Sequence, residues 1–376
     1  MRPWRHLLVW AVLSVSGCVA TREAAQTPPR AGASPTVAVF PVENLSGKTA
    51  PLARIQQLLA AGLKRHGVTV LEDAALEQMV RKHRVRYTAG VEQAFAKALE
   101  HEAGVDWIVI PSLELYDIVN PPRVSMFARM VSTGDAPAVG WLDSTGTAGD
   151  DSPGILGLGL IEDPGALLDK AVETLTASLA RSLPEAGASA EAGAAARKFR
   201  PKIVYRSDGL DADRTYHVAV VPFFNRSETP NAGEIVALHM MRSLTAFPNL
   251  RVVEPGIVRE ELLRFRIIMT DGVSLPETDT ILNAVNADLV LNGEVLQYRD
   301  RLGQDGTPSV DFGVLFIERK SRRIVYSAYS HNSGDDRVFF FDWGRVNTAH
   351  AMTRQMTDQI VRRMLAGPQR AALEER

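Results

Sequence analysis

Cysteine is nearly absent: the chain has 376 residues and one cysteine, Cys18. No intramolecular disulfide can form, and a metal centre built on several thiolates is excluded. An excess of charge of one sign is also missing, with 42 Lys and Arg against 44 Asp and Glu. No long basic tract and no zinc-finger or RNP-like spacing occurs, so a nucleic-acid partner is not indicated. Catalytic fingerprints are lacking as well. There is no Gly-x-Ser-x-Gly elbow, and Ser178 and Ser243 fall in expected helices. The eight histidines stand at positions 6, 66, 83, 101, 217, 239, 331 and 350 without a His-Glu-x-x-His pair. They read as surface or partly buried residues rather than bases. No catalytic residue, cofactor or metal site is assigned, and the chain reads as a non-enzyme.

What the chain does contain is a repeat. Val37-Ala38-Val39-Phe40-Pro41-Val42-Glu43-Asn44-Leu45-Ser46 returns 181 positions later as Val218-Ala219-Val220-Val221-Pro222-Phe223-Phe224-Asn225-Arg226-Ser227. Each copy is a β-branched apolar run closed by Pro, Asn and Ser, the pattern of a buried strand entering a turn. A helical face follows in both copies, carrying Ile55, Leu59 and Leu63 in one and Ile235, Leu238 and Leu244 in the other. Val68–Leu71 and Leu250–Val253 are the second strands. Asp73 and Thr88 are expected helix caps in the first copy, and Ser274 with Glu277 has capping-box spacing in the second. Val105–Val109 matches Ala287–Leu291, and Gly149-Asp150-Asp151 matches Gly334-Asp335-Asp336.

The order strand, helix, strand, helix, strand predicts an α/β fold. The expectation is two tandem duplicated, three-layer-like modules with a mixed sheet. Each is a βαβαβ core with an appended antiparallel hairpin and a closing helix. The hairpins pair Val124–Val131 with Val139–Trp141, and Val310–Ile317 with Ile324–Tyr326. Leu167 to Leu179 and Met352 to Met364 mark the closing helices. The expected division is a leader at 1–17, a flexible tether at 18–35, the first module at 36–183 and an Ala/Gly-rich linker at 184–204. The second module follows at 205–366 and a polar tail at 367–376.

The leader begins with Arg2, Arg5 and His6. The apolar stretch from Leu7 to Val15 is too short to span a bilayer. It ends in Val15-Ser16-Gly17-Cys18, which resembles the bacterial lipobox. That resemblance implies cleavage after Gly17 and acylation of Cys18, with palmitate-type chains as membrane anchor. Val19, where an aspartate would retain the protein at the inner membrane, implies the periplasmic face of the outer membrane.

Several constellations invite chemistry. Asp150 with Asp151, and Asp335 with Asp336, could hold a divalent cation in a metal-dependent enzyme. Gly-Asp is equally an ordinary turn, and the turn is preferred at both places. Glu43, Asn44 and Asn225 lie beyond the carboxyl ends of strands, where α/β folds often bind ligands. Their loops carry no dinucleotide or phosphate fingerprint, and an Asx turn explains them at least as well. Phe339, Phe340, Phe341 and Trp343 form the densest aromatic cluster, either buried on the last helix or an interface patch. Ile155 to Ile161 is its glycine-rich counterpart.

The residues Val218–Asn225, Arg251–Glu254 and Ala287–Gly293 together resemble a module of bacterial envelope proteins. It is similar to the amino-terminal domain of the Tol-system β-propeller protein, the curli secretion-channel lipoprotein and the lipoprotein activators of penicillin-binding proteins. In the first copy Pro111 replaces the glycine matched by Gly293. The resemblance implies binding or pore formation rather than catalysis. The expected function is a non-catalytic, periplasm-facing adaptor or scaffold in envelope assembly or transport. Its partner would be another envelope protein or itself as an oligomer. The rival is a curli-like oligomeric secretion channel.

Overall fold

A computed structural model describes residues 35–151, 159–183, 198–266, 275–301, 306–336, 338 and 345–366. The first module contains β1 (Thr36–Val39), β2 (Glu43–Asn44), α1 (Leu52–Arg65), β3 (Thr69–Val70), α2 (Asp73–Lys82) and α3 (Gln93–Ala103). It continues through β4 (Trp107–Asp117), β5 (Arg123–Ser132), β6 (Val139–Ala148) and α4 (Pro164–Ser182). The second contains β7 (Ile203–Arg206), β8 (Tyr216–Val220), β9 (Phe224–Asn225), α5 (Ala232–Thr245), β10 (Leu250–Val252) and α6 (Pro255–Arg264). It is completed by α7 (Leu275–Ala284), β11 (Leu289–Arg299), β12 (Ser309–Glu318), β13 (Ile324–Ser333) and α8 (Ala349–Leu365).

The two sheets have matching orders, β3-β1-β4-β5-β6 and β10-β8-β11-β12-β13-β7. The first three strands of each are parallel, and the long strands beyond them are antiparallel. These are tandem α/β modules with mixed sheets, as the repeat predicts. Three local expectations differ. Ile203 and Val204, placed in the linker, form β7 at the edge of the second sheet by pairing with β13. The helix expected after Thr88 begins at Gln93 with Glu92 as its N-cap. The helix before it starts at Asp73, with Glu72 rather than Asp73 as its N-cap. Ser274 lies outside the described residues.

Each sheet buries one face under its own two long helices. In the first module Val37, Val39, Val109, Met126 and Met130 meet Ile55, Leu59, Leu63, Leu167 and Leu175. In the second, Val218, Leu291, Phe312 and Phe316 meet Val236, Met240, Leu244, Met356 and Ile360. The other face of each sheet is half covered by a second helix pair. Leu76, Phe95 and Leu99 lie on Ala38, Phe40 and Ile108, and Val258, Leu262 and Ile281 lie on Ala219, Val221 and Val290.

The remaining half of that face distinguishes the modules. Phe127 and Leu142 of the first sheet join the core of the second module. The helices α5 and α8 therefore lie between two sheets. A helix so placed must be apolar all round, whereas a helix on the outside needs one apolar stripe. Accordingly every residue from Ala232 to Leu244 in α5 except Glu234 in its first turn is buried, while α1 exposes Ala53, Arg54, Gln57, Ala61, Lys64 and Arg65. The strands obey the same logic. β5 is buried at every position but its last, and β12 alternates buried and half-buried residues. A strand covered on both faces reads as a continuous run, and a strand covered on one face alternates.

Candidate functional site

The junction of the modules gathers most of the buried polar side chains. Glu114 stands at a β-bulge in β4, where the register with β5 slips between Leu113 and Leu115. A bulge inserts one unpaired residue and re-aims its side chain. Here it turns Glu114 toward the second module. The Glu114 carboxylate meets His350 Nδ1 from α8 in a short contact, and His239 Nε2 from α5 lies 3.7 Å from the same oxygen, Oε2. Tyr298 from β11 donates its hydroxyl to the other oxygen, Oε1. All three of Glu114, His239 and His350 are buried. The Phe127 ring closes the cluster edge-on to His239 at 4.7 Å and tilted to His350 at 5.5 Å. Gly146 makes room for His350, since a Cβ there would come within 2.6 Å of its Cδ2.

The electrostatics follow from burial. Desolvation pushes the Glu114 carboxyl up, but His350 and His239 together outweigh it and hold the group well below the usual carboxylate range. Burial lowers His239 to about 4, against the pull of Glu114. Burial likewise raises Tyr298 well above the ordinary phenol value, and Glu114 adds to the shift. Both nitrogens of His239 and Nε2 of His350 have no hydrogen-bond partner.

Two further buried ion-pair groups flank this cluster. On one side Arg129 of β5 faces Glu254 at the start of α6, with Nε 3.4 Å from Oε2. Glu254 also accepts from Val91 N at 3.2 Å and Gly256 N at 3.3 Å, and Arg129 donates to the Ala89 carbonyl. The backbones come so close here that a Cβ on Gly90 would sit 2.8 Å from Gly256 Cα. On the other side Arg123 bridges Asp117 and Asp300 and donates to the Arg301 carbonyl at 2.7 Å. Arg301 in turn holds Asp150 with both carboxylate oxygens at 2.6 and 2.7 Å.

The residues singled out in the sequence have more local roles. Asn44 accepts from Ser46 N at 3.1 Å and donates to the Lys48 carbonyl at 2.8 Å. Asn225 repeats this turn on Ser227 N at 3.0 Å and the Thr229 carbonyl at 2.8 Å. Glu43 accepts from Ser112 Oγ at 2.8 Å. Asp151 accepts from Ala148 N, and Asp336 from Ser333 N, so both Gly-Asp-Asp stretches close turns. Cys18, Phe339, Phe340, Phe341 and Trp343 lie outside the described residues. The histidines need a correction: His239 and His350 are neither surface nor partly buried but fully enclosed, because α5 and α8 are covered on both sides. Glu114, His239 and His350 are scattered along the sequence, and no local spacing links them. The signal that could have found them is polarity out of place, a lone His in the apolar run of α5 and a lone Glu in the apolar run of β4.

No family model matches the chain, and no curated protein does. Solved structures do. The PelC dodecamer from Paraburkholderia phytofirmans is 20% identical with a TM-score of 0.31, covering 44% of this chain and 96% of its own. The lipoprotein GNA1162 from Neisseria meningitidis is 22% identical with a TM-score of 0.28, covering 38% of this chain and 98% of its own. The LpoB C-terminal domain from Salmonella enterica is 15% identical with a TM-score of 0.26, covering 34% and 87%. Each spans less than half of the chain. Identities and TM-scores this low carry no function over. Among the described residues no helix is long and apolar enough to cross a membrane.

Proposed function

We propose that the chain is a non-catalytic scaffold of the bacterial envelope, anchored by lipid on Cys18 at the periplasmic face of the outer membrane. Its second module offers a sheet face to another envelope protein. The observation that carries this reading is the outer face of β11, β12, β13 and β7, which no helix covers among the described residues. In the first module the matching face is sealed by α5 and α8. In the second it presents Leu296, Ile203 and Tyr205, at 44%, 66% and 52% exposure, beside a half-buried Tyr329. Register places Ile203, Tyr329, Gly313 and Glu294 in one row across this face. Leu296 stands at the β-bulge that Glu114 occupies in the first module.

The occupant that fits is a helix of another protein with an apolar face, the chemistry that α5 brings to the first sheet. A second copy fits less well. Head-to-tail growth into a ring would seat α1 and α4 of the next chain there, since a heterologous contact reuses one pair of surfaces. The outer faces of α1 and α4 are instead ionic, with Arg54 bound to Asp169 at 2.9 Å and Arg65 paired with Glu173. Burying such charges against Leu296 and Ile203 costs more than the apolar contact returns. An enzyme is not favoured because no reacting centre with assignable roles emerges.

The test is the oligomeric state and planar-bilayer conductance of the purified lipoprotein. The scaffold reading expects a non-conducting monomer or small oligomer whose amino-terminal peptide carries acylated Cys18. Stable rings with discrete large conductance support the channel instead.

A further inference from the structure

We propose that Glu114, His239 and His350 form a binding site for one divalent transition-metal ion of the zinc class, bridging the two modules. The donor set is two imidazoles and one carboxylate, which suits zinc and its first-row neighbours. Calcium and magnesium prefer oxygen donors throughout and are disfavoured by the same set. One ligand atom from each residue can be chosen so that all three lie within 4.8 Å of one another. His239 Nε2 and Glu114 Oε2 are 3.7 Å apart, close to the roughly 3.3 Å between donors on a tetrahedral ion with bonds of about 2.0 Å. His350 Nδ1 and Glu114 Oε2 touch directly, so an ion between them requires one of the two side chains to turn aside.

The second, independent observation is the set of unpaired nitrogens. His239 is wholly buried, and neither of its ring nitrogens has a hydrogen-bond partner; Nε2 of His350 has none either. Leaving a buried polar atom unsatisfied is costly, and native proteins rarely tolerate several in one place. A metal ion takes up one nitrogen of each ring, and on His239 that is Nε2, which faces Glu114 Oε2 but is too far from it for a hydrogen bond. The surroundings also match a metal site. Tyr298 holds Oε1 of Glu114, which orients the carboxylate and leaves Oε2 facing the histidines. Phe127 supplies an apolar wall against both rings.

Because the ligands come from β4 in one module and from α5 and α8 in the other, the ion is a clamp between modules. Three protein ligands leave the fourth position of the ion to a water molecule, and the burial of all three side chains shields it from bulk solvent. Binding energy of such an ion adds directly to the stability of the closed arrangement.

The experiment uses the full lipidated chain in detergent, stripped with a chelator and titrated with Zn²⁺ and Co²⁺. The expected result is uptake of about one ion per chain, with intense visible Co²⁺ bands of a tetrahedral nitrogen–oxygen site and a rise in thermal midpoint. Glu114→Gln and His239→Gln should each lose the bands and at least tenfold in affinity. His331→Gln, an exposed histidine, should keep both. Folded wild-type protein that takes up no stoichiometric metal overturns the proposal. So does uptake that survives in both Glu114→Gln and His239→Gln. Should those variants fail to fold, the wild-type Co²⁺ spectrum decides: octahedral, weakly absorbing Co²⁺ also overturns the proposal.

Discussion

Glu43 shows how a single side chain reports the state of the junction. It is half-buried near Arg129 and Glu254, and desolvation raises its carboxyl above the ordinary value despite the pull of Arg129 and the Ser112 hydroxyl. An acid with a raised folded pKa binds its proton more tightly in the folded state. Its burden is absent below the unfolded value of about 4.3 and grows as pH rises through the folded value. Glu43→Gln, which can still accept from Ser112, should therefore unfold at the same temperature as wild type at pH 4 and at a higher one at pH 7. Thermal scans across that range check the sign. The Arg129–Glu254 pair behaves differently. Removing one partner strands a buried charge, so Glu254→Ala should lose about 3–5 kcal/mol in denaturant unfolding. Arg129→Met combined with Glu254→Met should recover only part of that loss: no charge remains to be desolvated, but Val91 N, Gly256 N and the Ala89 carbonyl lose their partners.

At the scale of elements, the junction depends on α5 and α6 approaching the first module closely. Gly256 faces the Val91 backbone and Gly90, with no room for a methyl group. Gly256→Ala should cost roughly 1–3 kcal/mol through forced backbone shifts, with hydrogen exchange rising first in α6 and the 89–91 segment. The same elements explain how much was legible in the sequence. The repeat at Val37 and Val218 carried the order of elements along each module, because buried parallel strands leave β-branched runs that survive duplication as a pattern. The closing helices were legible from Leu167 to Leu179 and Met352 to Met364 for the same reason. The short strand β7 was not, since Ile203-Val204-Tyr205-Arg206 has too little periodicity to separate from a linker. The buried cluster was not either. Local periodicity tells which face of α5 meets its own sheet, but it cannot tell that a second sheet covers the opposite face. That fact alone turns His239 from a surface residue into a buried one. In hindsight the contrast between the polar outer face of α1 and the apolar one of α5 is the readable trace of it.

For the whole molecule, duplication has produced two modules with unequal surfaces. The first is covered on both sheet faces, ionic on α1 and α4, and joined to the second through three buried polar groups. The second, among the described residues, keeps one half-apolar sheet face open. A scaffold needs such asymmetry, since one end must be finished and the other must receive a partner. The proposed scaffold role makes the outer face of β11, β12, β13 and β7 the working surface. It is tested most directly by placing a photo-crosslinking side chain singly at Tyr205, Leu296, Gln57 or Lys170 in cells and irradiating intact envelopes. A discrete adduct with one other envelope protein is expected from Tyr205 and Leu296, and none from Gln57 or Lys170 on α1 and α4. Self-adducts that join Tyr205 or Leu296 to α1 or α4 of a second copy would contradict it, as would heterologous adducts formed only from Gln57 and Lys170.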